Sequence, residues 1–162
     1  MKYVELNKDK RTLIDDEDFN YLNKFKWYIT PKGYVIGKVG NKMILMHREI
    51  LKAPPDLQVD HKNGDKLDNR KENLRFCTQS QNRANMDKYR KNTSTPRLYK
   101  GTVYRRDRKS WRAQIYIIGR NIRSGKCSSE VEAAIKYNEL AVKHFGEFAK
   151  LNEICQKSPE GL

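Results

Sequence analysis

The sequence predicts an α+β chain assembled from small modules, and three observations predict it. Hydrophobic residues make up 37% of the 162 residues and charged residues 33%, a balance too polar to fill one large interior. A strand–loop–strand–helix pattern is legible over residues 56–89, and three short strands followed by one helix are legible over residues 98–152. Between them DKYRKNTSTPR has no apolar period, and its residues 90–97 read as a linker.

Residues 1–55 form a lead-in. Asp15-Asp16-Glu17-Asp18 places negative charge at the start of a short helix, where the helix dipole favours it. Phe19, Leu22 and Phe25 then fall on one face. Trp27-Tyr28-Ile29 and Tyr34-Val35-Ile36, on either side of Pro31-Lys32-Gly33, read as a hairpin. A turn at Gly40-Asn41 leads into a strand, Met43-Ile44-Leu45-Met46, that delivers His47-Arg48 to the next segment. Pro54-Pro55 ends the lead-in.

In residues 56–89, Gln58-Val59-Asp60-His61 reads as a strand entering a long turn rich in Asn, Gly, Asp and Lys. Asn73-Leu74-Arg75-Phe76-Cys77 is the returning strand. Thr78 and Gln81 fit a capping box, which starts a helix with Asn82 in its first turn. In residues 98–152, strands are expected at Gly101–Arg106, Ser110–Ile117 and Asn121–Lys126. Trp111, Ala113, Ile115 and Ile117 share one face of the middle strand, and Arg112, Gln114 and Tyr116 the other. Ser129 and Glu132 make a second capping box. Val131, Ala134, Tyr137, Leu140, Ala141 and Phe145 form the stripe of the final helix, which Gly146 stops. Residues 153–162 read as a tail.

The 34 basic against 20 acidic residues give a net charge of +14, which favours a polyanionic partner. No apolar run approaches the roughly 20 residues that span a bilayer, and MKYVELNKDKRTL has no h-region. A cytoplasmic location is expected, with no membrane partner and no small-molecule cofactor. Cys77, Cys127 and Cys155 are too far apart for a Cys-x-x-Cys zinc pair and read as reduced thiols.

Chemistry concentrates in VDHKNGDKLDNRKENLRFCTQSQNRAN, where Asp60-His61 is followed by Asn73 and Asn82. Hydrolysis of a phosphodiester needs a nucleophile, charge neutralisation and help for the departing 3′ oxygen, and one metal ion can supply the last two. The Asp60 carboxylate and the Asn82 amide oxygen suit a hard cation. His61, with an ordinary pKa near neutrality, can take the proton of the attacking water. Asn73 can accept from one imidazole nitrogen and fix the tautomer. Asn85 lies one helical turn beyond Asn82 and is the alternative ligand. His47 either packs against the loop or, with Arg48, meets a phosphate. His144, near the end of the last helix, reads as structural.

With Asp60-His61, Asn73 and Asn82 in order, and Asp68-Asn69-Arg70 and Asn73-Leu74 inside the pattern, the region resembles the HNH endonuclease family. That family often carries His at the last position and His or Asp at the first. The Asp-His…Asn…Asn variant is seen in homing-type, phage or intron, members. The resemblance implies a ββα-metal module with one Mg²⁺ or Mn²⁺ per site, held by Asp60 and Asn82. It makes His61 the base and Asn73 the residue that holds the loop and orients His61. It also implies 5′-phosphate and 3′-hydroxyl products. Arg48, Arg70, Arg75 and Arg83 are the candidate DNA contacts of this module.

Lys100-Gly101, Val103, Trp111-Arg112-Ala113-Gln114-Ile115, Glu132-Ala133-Ala134, Tyr137-Asn138, Ala141 and His144-Phe145-Gly146-Glu147-Phe148-Ala149 resemble the Apetala-two/ethylene-response-factor DNA-binding domain. The resemblance lays the sheet in the major groove, with Tyr104, Arg106, Arg112, Gln114, Tyr116, Asn121 and Arg123 facing DNA. Tyr104 and Tyr116 stand where that family often carries Arg, and Ser124 replaces an apolar residue. The expected whole is a DNA endonuclease, a monomer or weak dimer on duplex DNA. The alternative is a DNA-binding regulator with a degenerate nuclease site.

Overall fold

The computed structural model describes residues 1–86 and 98–154. The expected linker at 90–97, most of the expected tail at 153–162, and Cys155 lie outside the described residues. Among the described residues the architecture is mixed α+β, with four small antiparallel sheets and few helices. The chain divides into two compact units, Met1–Asn82 and Arg83–Leu162. No described helix is long and apolar enough to cross a membrane.

The first unit begins with a hairpin that local sequence signals did not announce. Strands β1 (Lys2–Glu5) and β2 (Arg11–Ile14) pair with Tyr3 opposite Leu13. Their turn uses Lys8 and Asp9 at φ 62° and 53°, left-handed positions usually taken by Asn or Gly. Helix α1 (Asp16–Leu22) comes next, its first turn acidic as the dipole favours. Strands β3 (Trp27–Ile29), β4 (Val35–Val39) and β5 (Lys42–Leu45) form a meander. The expected strand stops one residue early, at Leu45, and Met46 and His47 open helix α2 (Met46–Ile50), an element that local sequence signals did not announce.

The motif region has strand β6 (Gln58–His61) paired with β7 (Leu74–Cys77), followed by helix α3 (Gln79–Asn85). The capping box at its start forms as expected: the Gln81 side chain accepts from the Thr78 amide at 2.8 Å, and Thr78 Oγ1 accepts from the Gln81 amide at 3.3 Å. One apolar cluster joins lead-in and motif. Val4, Ile14, Leu22, Trp27, Val35, Met46 and Ile50 pack with Val59 and Leu74, so the motif hairpin shares its core with residues 1–55.

In the second unit β8 (Thr102–Arg105), β9 (Ser110–Ile117) and β10 (Arg120–Arg123) form an antiparallel sheet with β9 central. Helix α4 (Glu130–Phe145) lays Ala133, Ala134, Tyr137 and Ala141 inward, and Ala113, Ile115, Tyr137 and Ala141 form the core. Val131, expected on this stripe, is 42% exposed. Ser129 Oγ accepts from the Glu132 amide at 3.1 Å, while the Glu132 carboxylate takes Ser128, not Ser129. Gly101, at φ 72°, admits no side chain: a Cβ there would lie 1.9 Å from the Tyr137 ring. Gly146 ends the helix at φ 53°.

Candidate active site

His61 is the last residue of β6, 4% exposed, and Asp60 beside it is 6% exposed. The strand ends here because the adjoining turn is pinned on both sides. Lys62 donates its amide to the Asn73 carbonyl at 2.8 Å, and Gly64 donates to the His61 carbonyl at 2.9 Å. The loop is also fastened to β2, where the Leu13 amide bonds the Leu67 carbonyl and the Asn69 amide bonds the Leu13 carbonyl, both at 2.8 Å.

The tautomer of His61 is set by its partners. Asn69, with no exposed surface, donates its amide nitrogen to Thr12 Oγ1 at 2.8 Å and to the Lys66 carbonyl at 3.3 Å. A carbonyl only accepts, so the Asn69 oxygen must be the atom 3.2 Å from His61 Nε2. Nε2 therefore carries the hydrogen, and Nδ1 is the basic nitrogen. Thr12 Oγ1 in turn donates to the Leu67 carbonyl at 2.7 Å, which completes a buried chain from β2 to the imidazole. Burial lowers the His61 pKa below its ordinary value, against the opposing influence of Asn69, Asp60, Asp65 and Asp68. The ring is neutral at neutral pH, the form a general base needs.

Asn73 does not orient His61, which corrects the sequence expectation. Its amide nitrogen donates to the Asp68 carbonyl at 2.8 Å and its oxygen accepts from the Asn63 amide at 3.1 Å, so it ties the loop across its base. Orientation falls to Asn69, a residue quoted in the motif but given no role from sequence. Its partner Thr12 lies 57 positions away, beyond any local signal.

The two expected metal ligands are tied differently. Asp60 and Arg75 are directly opposed across β6 and β7, and Oδ2 of Asp60 accepts from Arg75 Nε at 3.0 Å and Nη2 at 2.9 Å. Their side chains are 7% and 10% exposed. Asn82 donates its amide nitrogen to Gln58 Oε1 at 2.8 Å, which turns its carbonyl oxygen away from Gln58. One buried carboxylate and one oriented amide oxygen fit a hard, oxygen-seeking cation that completes its shell with water and phosphate. Among the described residues no group of three His, Cys, Asp or Glu gathers to hold a metal.

Three of the four arginines expected on DNA from this module are engaged within the fold. Arg48 donates to the carbonyls of Leu57 at 2.6 Å, Pro54 at 2.7 Å and Ala53 at 3.2 Å, so it pins the turn before β6. Arg75 holds Asp60. Arg70 forks onto Asp68 through two 2.8 Å bonds and also reaches Glu72. Arg83 is exposed on α3.

On the sheet of the second unit, strand register corrects two expected positions. Tyr104 is opposite Trp111, so it lies on the helix side of the sheet, its ring 5.1 Å from the indole. Arg106 has left the strand and begins a 3-10 turn, Arg106–Arg108. Val103, opposite Arg112, and Arg105 take the outer face instead. Gln114, Tyr116, Asn121 and Arg123 lie there as expected, with Asn121 opposite Tyr116 and Arg123 opposite Gln114. Gln114 donates to Asn121 at 2.9 Å and accepts from Arg123 at 3.3 Å. Desolvation, then the neighbouring Arg105, Arg123 and Arg108, lower the Arg112 pKa below its ordinary value, a sign of crowded positive charge.

A family model described as HNH endonuclease matches residues 52–84. Over 139 residues the chain is 35% identical to an uncharacterized HNH endonuclease of Acanthamoeba polyphaga mimivirus, an alignment that covers 82% of this chain and 70% of the relative. No solved structure gives a significant match.

Proposed function

The chain belongs to the HNH endonuclease family, and we propose that it hydrolyses phosphodiester bonds of duplex DNA at the site built around His61. The observation that carries this reading is the buried Thr12–Asn69–His61 chain, which fixes a neutral imidazole with Nδ1 as its basic nitrogen. In this reading Nδ1 takes a proton from water as the water oxygen attacks phosphorus. The bond to the 3′ oxygen breaks and that oxygen takes a proton from solvent water, leaving a 5′-phosphate and a 3′-hydroxyl. Asp60 and Asn82 would hold one Mg²⁺ or Mn²⁺, and when bound the cation neutralises charge on the phosphate and on the departing oxygen. Asn73 keeps the 62–73 loop in shape, and Arg75 keeps the Asp60 carboxylate at the strand end.

Supercoiled plasmid should convert to open circle in Mg²⁺ and remain supercoiled in EDTA, with DNA affinity largely retained in both. Cleavage that persists in EDTA would remove the cation. Binding without cleavage in Mg²⁺ or Mn²⁺, on DNA carrying the target site, would favour the regulator.

The second unit positions the first on duplex DNA in this proposal, and its Apetala-two-like reading and the homing role belong to the same proposal. Support comes from a three-stranded sheet with α4 against one face and Arg105, Arg112 and Arg123 on the other. Replacing Arg105 and Arg112 together with Ala should weaken DNA binding and flatten its salt dependence. The slope of log affinity against log salt should fall by about one for each phosphate that the variant no longer neutralises. Fluorescence anisotropy over a salt series measures it, and an unchanged slope would take this face off the DNA.

A further inference from the structure

The lead-in brings a second histidine to the first. His47, in α2, is 4% exposed, and its ring centroid is 5.1 Å from that of His61 with the planes at 82°, an edge-to-face contact. Tyr34, just before β4, adds a third ring, 5.6 Å from His47 and 6.3 Å from His61. If this place called only for packing, Leu or Phe would fill it without burying a polar atom. Instead Nδ1 of His47 is buried with no hydrogen-bond partner among the described residues. Leaving such an atom unsatisfied costs about 1–3 kcal/mol, and buried orphans of this kind call for a water, an ion or a functional use. Burial first, then the neighbouring His61 and Arg48, push the His47 pKa down to about 3. The ring is therefore neutral beside the base and offers one lone pair and one N–H.

We propose that His47 is a positioning residue for hydrolysis, its ring edge setting the plane of His61 and its Nδ1 holding an ordered water beside that ring. This rests on the reading of His61 as the base. His47 acts through His61 and the water, so its loss should affect turnover and spare substrate binding.

The test compares nicking kinetics and imidazole ¹⁵N shifts of the full chain for wild type, His47→Phe, His47→Asn and His61→Ala. Phe keeps a ring and removes the nitrogens, and the amide oxygen of Asn can stand near the place of Nδ1. His47→Phe should lower kcat about 10- to 100-fold, the scale of a misplaced reacting group. KM should be unchanged, and the His61 ¹⁵N resonances should move. His47→Asn should recover a substantial part of kcat. Wild-type kcat in His47→Phe, or equal losses in Phe and Asn with unmoved His61 resonances, would overturn the proposal. If His47→Phe fails to fold by circular dichroism, His47→Asn against His47→Ala decides by the same readouts. Full activity of His61→Ala would sink the base assignment itself. An inactive His61→Ala beside a fully active His47→Phe would sink only the role of His47.

Discussion

His61→Ala is expected to slow plasmid nicking by about 10²- to 10⁴-fold, the range contributed by a positioned general base, while DNA affinity is retained. Three features put the effect at the upper end. The imidazole is almost fully buried at the end of β6. Its tautomer is fixed by Asn69, whose own amide is fixed by Thr12 and Lys66. Burial lowers its pKa, which leaves the ring neutral at neutral pH. Single-turnover nicking measures the loss, and anisotropy on the same DNA measures binding. If the variant nicks at the wild-type rate in Mg²⁺ and not in EDTA, another group accepts the proton. If it also loses binding, the residue matters to the fold more than to the chemistry.

The second large effect is on stability. Arg75→Met should destabilise the first unit by about 3–5 kcal/mol, the usual consequence of removing one member of a buried ion pair. Asp60 would keep a 6% exposed position while losing the guanidinium that faces it across the ladder. If the proposed cation sits on Asp60, millimolar Mg²⁺ should stabilise the variant more than the wild type, because it no longer competes with the Arg75 guanidinium and binding to the folded state raises stability by mass action. Urea unfolding with and without Mg²⁺ reads both effects. Equal Mg²⁺ responses in the two proteins would argue against a cation on Asp60.

What sequence could reach depended on how far apart the partners stand. The acidic start of α1, the Trp27–Ile36 hairpin, both motif strands and the Thr78–Gln81 box are written in neighbouring residues and were legible. The β1–β2 hairpin was not, because its turn, Asn7-Lys8-Asp9, carries no Gly and holds Lys8 and Asp9 in the left-handed region. The outer sheet face was legible on β9 and β10 and misjudged on β8. Which side Tyr104 takes is decided by pairing opposite Trp111, not by its own neighbours. Arg48 read as a phosphate contact since nothing local reveals three carbonyls folded around its guanidinium. The site had the same limit. Its order of Asp60, His61, Asn73 and Asn82 was visible, whereas the roles of Asn69 and Asn73 depended on Thr12 and on the curl of the loop.

The fastening of the 62–73 loop to β2 has a consequence for when this enzyme becomes dangerous. The bonds from Thr12 to Leu67 and from Asn69 to Thr12 close over 55 and 57 positions, so the chain must bring distant segments together before the His61 ring is held in place. Contacts of that span form late and slowly, since loop-closure entropy is lost before they repay it. A ribosome that has made β2 but not the loop, or a proteolytic fragment that keeps the loop but loses β2, carries the motif without the relay that aims it. In the proposed mechanism, the alignment of His61 therefore waits on both β2 and the 62–73 loop.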